Sequence, residues 1–202
     1  MFGGSFDPVH NAHLALGRQA TQQLALDELC WVPAGQPWQK PRAVTAGEHR
    51  LAMLALAVGG VPHQRIEDCE LQRTGPSYTL DTVRELQARQ PDTQWFLVIG
   101  QDQYCGLHSW QGFGELLQRV TLAVALRPGA SSSADPRVRA APRVELSLPA
   151  MSISSSEIRA RVAGGQDIGA LVPRAVAQYI YQHRLYTSPP GVGNSAAAPR
   201  GG

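Results

Sequence analysis

Lysine is almost missing from this chain: of 18 basic residues only Lys40 is not arginine, a bias of the kind genomic composition imposes. Cysteine is sparse too. Cys30, Cys69 and Cys105 are odd in number, form no CxxC pair and sit in or beside apolar stretches, which argues against a disulfide framework and for reduced thiols in a cytoplasmic protein. No run approaches the apolar length of a membrane span, and the N-terminus enters a glycine motif directly where a signal peptide would carry its apolar region. The net charge of +2 is too small to argue for nucleic acid or a membrane surface as partner. Nothing in the sequence speaks to oligomeric state.

What is present is enough chain for one domain: 202 residues, taken as a single unit over residues 1–187 and a disordered tail over 188–202, where almost nothing could be buried. Short apolar runs alternate with helix-period segments: Leu29–Val32, Glu48–Val58, Ile66–Leu71, Leu80–Arg89, Trp95–Ile99, Gly114–Gln118 and Val120–Leu126. That βαβα order predicts an α/β fold, a parallel sheet with helices on both faces and ligands beyond the strand carboxyl ends. Residues 128–142, rich in Ala, Ser, Pro and Arg, read as a mobile connection to a last strand near Val144–Leu148. A C-terminal helical segment follows, near Ser155–Val162 and Pro173–His183.

The densest chemistry lies at the start, in Gly3-Gly4-Ser5-Phe6-Asp7-Pro8-Val9-His10-Asn11-Ala12-His13. Paired glycines let a main chain approach an anion, and the amphipathic run Ala12–Leu24 offers a helix N-terminus. On a helix His10 and His13 would share a face and could donate hydrogen bonds to phosphate oxygens. They could equally be loop residues or two metal ligands, but His49, His63, His108 and His183 are scattered, and no metal site is expected. Ile153-Ser154-Ser155-Ser156-Glu157-Ile158-Arg159 reads either as a capping box, Ser154 with Glu157, or as a second phosphate-binding helix end served by Arg159. In Ile99-Gly100-Gln101-Asp102, Asp102 could accept from ribose hydroxyls or cap the next helix. Lys40, in a proline-punctuated loop, could meet a phosphate or simply be solvated; Thr79 could be an N-cap; Trp110 could be core or an aromatic platform.

The first string resembles the GxFDPxHxGH signature of the HIGH-type nucleotidyltransferase superfamily, with Ala12 in place of a glycine, and the second resembles its ISSTxIR signature. From Phe2 to about Tyr186 the chain is similar to the bacterial nicotinate-nucleotide adenylyltransferase branch, through VPAGQPWQKP, LQRTGPSYTLDTV, FLVIGQD, Trp110 and LVPRAVAQYIYQHRLY; Gln111 stands where an aromatic is expected. The resemblance implies a Rossmann-like doubly wound sheet whose first, central strand precedes Gly3. Only Met1 and Phe2 are available for it, so the natural chain is expected to begin upstream, a point that yield and melting temperature of an N-terminally extended protein would test. It also implies adenylyl transfer from ATP, with Mg²⁺ carried by the nucleotide, to nicotinate mononucleotide. By resemblance ATP would meet Gly3, Gly4, Ser5, Phe6, His10, His13, Gly100, Asp102, Ser154, Ser155 and Arg159, with His10, His13 and Arg159 catalytic. The mononucleotide would meet Lys40, Thr79 and Trp110. The rival readings are another acceptor, nicotinamide mononucleotide or phosphopantetheine, and a nucleotide-binding module without turnover.

Overall fold

The computed structural model describes residues 1–36, 44–126, 134–149 and 151–187. Six strands make one parallel sheet: β1 Phe2–Gly4, β2 Leu29–Pro33, β3 Gln64–Ile66, β4 Phe96–Gly100, β5 Thr121–Ala125 and β6 Arg143–Leu146. Their order, β3-β2-β1-β4-β5-β6, is that of a doubly wound Rossmann-type sheet, with the switch point between β1 and β4. Alternate strand residues face opposite sides, and both sides are apolar because both are covered. Phe2, Trp31, Val98 and Ala123 meet α1 (Asn11–Gln23), α2 (Gly47–Val58), α8 (Ser155–Ala163) and α9 (Arg174–Gln182). Val32, Leu97, Ile99, Leu122 and Val124 meet α4 (Thr79–Arg89), α5 (Gln101–Gly106), α6 (Phe113–Arg119) and α7 (Pro136–Arg139). Within α1, Gly17 has a packing reason: a Cβ there would lie 2.6 Å from the Trp31 indole. No helix among the described residues is long and apolar enough to cross a membrane.

Two expectations need correcting. The strand read as Ile66–Leu71 stops at Ile66, and Cys69–Gln72 form a short helix, α3, because Glu70 turns inward to accept the Thr82 hydroxyl at 2.7 Å. The described part of the connection before β6 is anchored, not loose: Ala134 and Val138 are buried. There Asp135 caps α7 by accepting the Arg137 N–H at 2.9 Å, with Pro136 at the first helical position. The short first strand lies in the central position, between β2 and β4. It pairs with β2 along Phe2–Gly4, and toward β4 the Met1 ammonium donates to Phe96 O at 2.9 Å while Met1 O accepts the Val98 N–H at 2.9 Å. The tail over 188–202 lies outside the described residues.

Candidate active site

The carboxyl ends of the central strands stand in register, Gly4 beside Pro33 and Gly100 beside Ala125, and the motif residues leave the sheet from this edge. Gly3 is exposed, and a Cβ there would meet nothing closer than the Met1 side chain at 3.8 Å, so its backbone is open to a ligand. Gly4 is closely packed: a Cβ would come within 3.1 Å of the Phe6 ring. Phe6 takes a left-handed φ of 45°, a strain of roughly 1–2 kcal/mol. Its ring is buried against Phe2 and Trp31, with centroids 5.6 Å away in each case, so Phe6 can meet a ligand only through its backbone.

His10 lies not on the helix, as expected, but at its N-cap in an extended conformation, and the pair makes a reciprocal box. His10 Nδ1 accepts the His13 N–H at 3.4 Å and His13 Nδ1 accepts the His10 N–H at 3.3 Å, with the rings stacked at 3.6 Å. Each Nδ1 is therefore an acceptor, and in the neutral rings the proton sits on Nε2. Burial pushes His10 down to about 4, so at neutral pH it is an uncharged Nε2–H donor.

The second signature docks on the first. Ser155 Oγ donates to Pro8 O at 3.0 Å, and Arg159 donates to Asp7 O at 2.7 Å and to Ser156 Oγ at 2.9 Å. The Arg159 guanidinium thus has a structural acceptor that the helix-dipole argument did not foresee. Ser154 caps α8, accepting the Glu157 N–H at 3.2 Å, but Glu157 turns to Arg161 at 2.8 Å, so only half of the capping box forms. Asp102 is exposed in the first turn of α5, whose N-cap is Gly100; it is not the cap. Thr79 likewise follows the N-cap, Tyr78. Trp110 ends a 3₁₀ turn, Leu107–Ser109, half-buried against the core on the α4 side of the sheet. Lys40 lies outside the described residues.

Buried Arg50 and Glu70, which belong to no motif singled out in the sequence, hold these loops together with Asp7 of the first string and the partly buried Tyr186. Arg50, 2% exposed, donates to Ser5 O at 2.9 Å, Gly35 O at 3.2 Å and Thr45 O at 2.8 Å. Burial lowers its pKa, against the opposing charge of Asp7. Glu70, 6% exposed, accepts from the Thr82 and Ser77 hydroxyls and the Gly35 N–H; burial raises its pKa and these donors oppose the rise. Asp7, wholly buried, accepts the Tyr186 hydroxyl at 2.8 Å, and burial with the Asp7 charge raises the Tyr186 pKa. The signal for Arg50 was the single arginine of α2, next to its apolar run, and for Glu70 a carboxylate in an assumed strand. Among the described residues no three His, Cys, Asp or Glu side chains stand together as a metal site.

The model of the cytidylyltransferase-like family matches residues 1–161. A probable nicotinate-nucleotide adenylyltransferase of Methylibium petroleiphilum is 47% identical over 95% of this chain and 93% of its own length. One of Albidiferax ferrireducens is 43% identical over 92% and 96%. Among solved structures, nicotinic acid mononucleotide adenylyltransferase of Plasmodium falciparum complexed with NaAD superposes with a TM-score of 0.78 at 21% identity, covering 92% of this chain and 95% of that one, a likeness of fold.

Proposed function

The chain belongs to the cytidylyltransferase-like family, and from that premise we propose that it transfers the adenylyl group of ATP to nicotinate mononucleotide, yielding nicotinate adenine dinucleotide and pyrophosphate, a step of NAD biosynthesis. The observation that carries the reading is the docking of the two signatures at the switch point, in a chain whose relatives at 47% and 43% identity carry that activity in their names.

A phosphate oxygen of the mononucleotide attacks the α-phosphorus of ATP, and the bond to the β-phosphate oxygen breaks, so no protein nucleophile is consumed. Positioning and charge stabilisation therefore do the catalysis. The exposed backbone of Gly3, with Gly4 and Ser5 after it, lets the triphosphate approach. His10 and His13 direct Nε2–H donors at oxygens that gain charge in the transition state. Arg159, held on the Asp7 carbonyl and Ser156 Oγ, contributes its fixed positive charge to the departing pyrophosphate, and Ser154 and Ser155 line the same helix end. Gly100 and Asp102, just past β4, take the adenosine ribose, while Lys40, Thr79 and Trp110 take the mononucleotide. Mg²⁺ travels with ATP and supplies charge neutralisation of the triphosphate. A cytoplasmic setting completes the proposal, supported by three free cysteines.

The test is pyrophosphate release from ATP and Mg²⁺ with nicotinate mononucleotide, nicotinamide mononucleotide and phosphopantetheine offered separately. Preference for the first is expected. Preference for another acceptor would move the substrate assignment, and ATP binding without release from any would refute the transferase reading.

A further inference from the structure

The loop after β2 touches both ends of the site through one residue. Gly35 O accepts from Arg50 at 3.2 Å, and the Gly35 N–H donates to Glu70. No side chain fits there, because a Cβ on Gly35 would lie 2.0 Å from Glu70 O and 2.7 Å from Ser77 Oγ. Each of the two charged groups has a second attachment. Arg50 also holds Ser5 O, in the glycine-rich turn, at 2.9 Å. Glu70 also holds Ser77 and Thr82, which flank Thr79 at the start of α4. Next to Gly35, Gln36 bridges to Pro76; its N–H donates to Ser77 Oγ at 3.2 Å and its carbonyl accepts the Ser77 N–H at 3.3 Å.

We propose that Arg50 and Glu70 are positioning residues that clamp Gly35 from opposite sides, so that the acceptor wall formed by residues 33–36 and 75–79 is set in place relative to the turn that receives the ATP phosphates. Which substrate each side receives rests on the proposed function; the mechanical coupling does not. Both groups are buried and already engaged, so they act through the backbone of Ser5, Gly35 and Ser77 and not by touching substrate. A guanidinium suits the arginine position because its fixed fork reaches three carbonyls at once, which an ammonium cannot do. Three donors converging on Glu70 suit an acceptor-only carboxylate.

The test uses the full chain with Glu70→Gln, Arg50→Lys and both together, reading KM for each substrate, kcat, and amide hydrogen exchange at 34–36 and 75–79. Glu70→Gln is expected to raise the KM for nicotinate mononucleotide roughly tenfold while the KM for ATP stays within about twofold, since only the acceptor wall loses its anchor. Arg50→Lys is expected to raise both KM values and lower kcat by roughly tenfold, because both sides of the clamp loosen. The double variant should lose less than the product of the single effects, because the two act through one residue. Exchange at 75–79 should quicken in Arg50→Lys, although Arg50 donates to nothing in that stretch, while β5 amides stay protected. An equal rise of both KM values in Glu70→Gln, or unchanged exchange at 75–79 in Arg50→Lys, would overturn the clamp. If the unaltered protein does not use nicotinate mononucleotide, the functional reading has failed and exchange alone decides the coupling. Should a charge variant fold poorly, Ser77→Ala removes one donor to Glu70 and the acceptor of the Gln36 N–H while keeping both charges, and it must still raise the acceptor KM selectively.

Discussion

The two halves of the site are built from different materials. The proposed phosphate end, where β1 runs into α1 and α8 docks, is held largely by serine hydroxyls, backbone amides and a neutral histidine at an N-cap, with Arg159 and Arg50 each on one of its carbonyls and Asp7 on the Tyr186 hydroxyl. The acceptor wall is held by a buried arginine and a buried glutamate on either side of a glycine. An end proposed to receive a highly charged triphosphate gains from open donors. A wall that must keep its shape gains from ionic groups already satisfied, whose loss leaves an uncompensated buried charge.

The sharpest way to break the comparison is at the histidines. His13→Ala should lower turnover roughly a hundredfold or more, the scale of losing an oxyanion donor, and should also cost about 1 kcal/mol because the ring is half of the α1 box. His10→Asn separates those roles: the amide oxygen can still cap, so melting should hold while pyrophosphate release falls. Equal losses of melting temperature in His10→Asn and His10→Ala would show that the ring is structural only.

Next in size is Gly35→Ala, expected to destabilise by about 1–3 kcal/mol through overpacking against Glu70 O and to weaken the mononucleotide KM more than that of ATP. Urea unfolding and steady-state kinetics on the same preparation would check it, and an unchanged unfolding midpoint would contradict the close approach.

The halves should also respond oppositely to pH. His10 has a folded pKa of about 4 against 6.5 unfolded, so the folded state binds fewer protons in that window. Its contribution to stability is therefore full above 6.5 and is lost as pH falls toward 4. Glu70 is raised when folded, so its contribution runs the other way, declining as pH rises through the folded value. Denaturant titrations from pH 4 to 8 should lose the first slope in His10→Asn and the second in Glu70→Gln. Identical profiles in both variants would refute the assignment. The smallest effect is at the second signature, where Ser154→Ala should cost about 1 kcal/mol as a lost cap together with weaker ATP affinity. Differential scanning calorimetry with and without ATP separates the two losses.

Much of this was legible from sequence. Strands with apolar residues on both faces and helices between them announce a parallel sheet, and the eleven-residue string Gly3–His13 marks the turn from β1 into α1 on which the second signature docks. Misread segments were those where tertiary partners overrule local pattern. Residues 66–71 look like a strand until Glu70 meets Thr82. His10 looks helical until its ring caps the helix. Arg50 carries little local signal, because its three acceptors, Ser5, Gly35 and Thr45, come from segments that periodicity does not bring together.

The contacts on Asp7 have a consequence for how the protein is made. Its carbonyl meets Arg159 across 152 residues and its carboxylate meets Tyr186 across 179. The first loop is synthesised well before the two residues that anchor it. Contacts of such sequence separation form late, after most of the sheet has gathered. A nascent chain that lacks α8 and Tyr186 carries both histidines but not the framework that holds them, so the proposed nucleotide site is complete only once these later residues have joined the sheet.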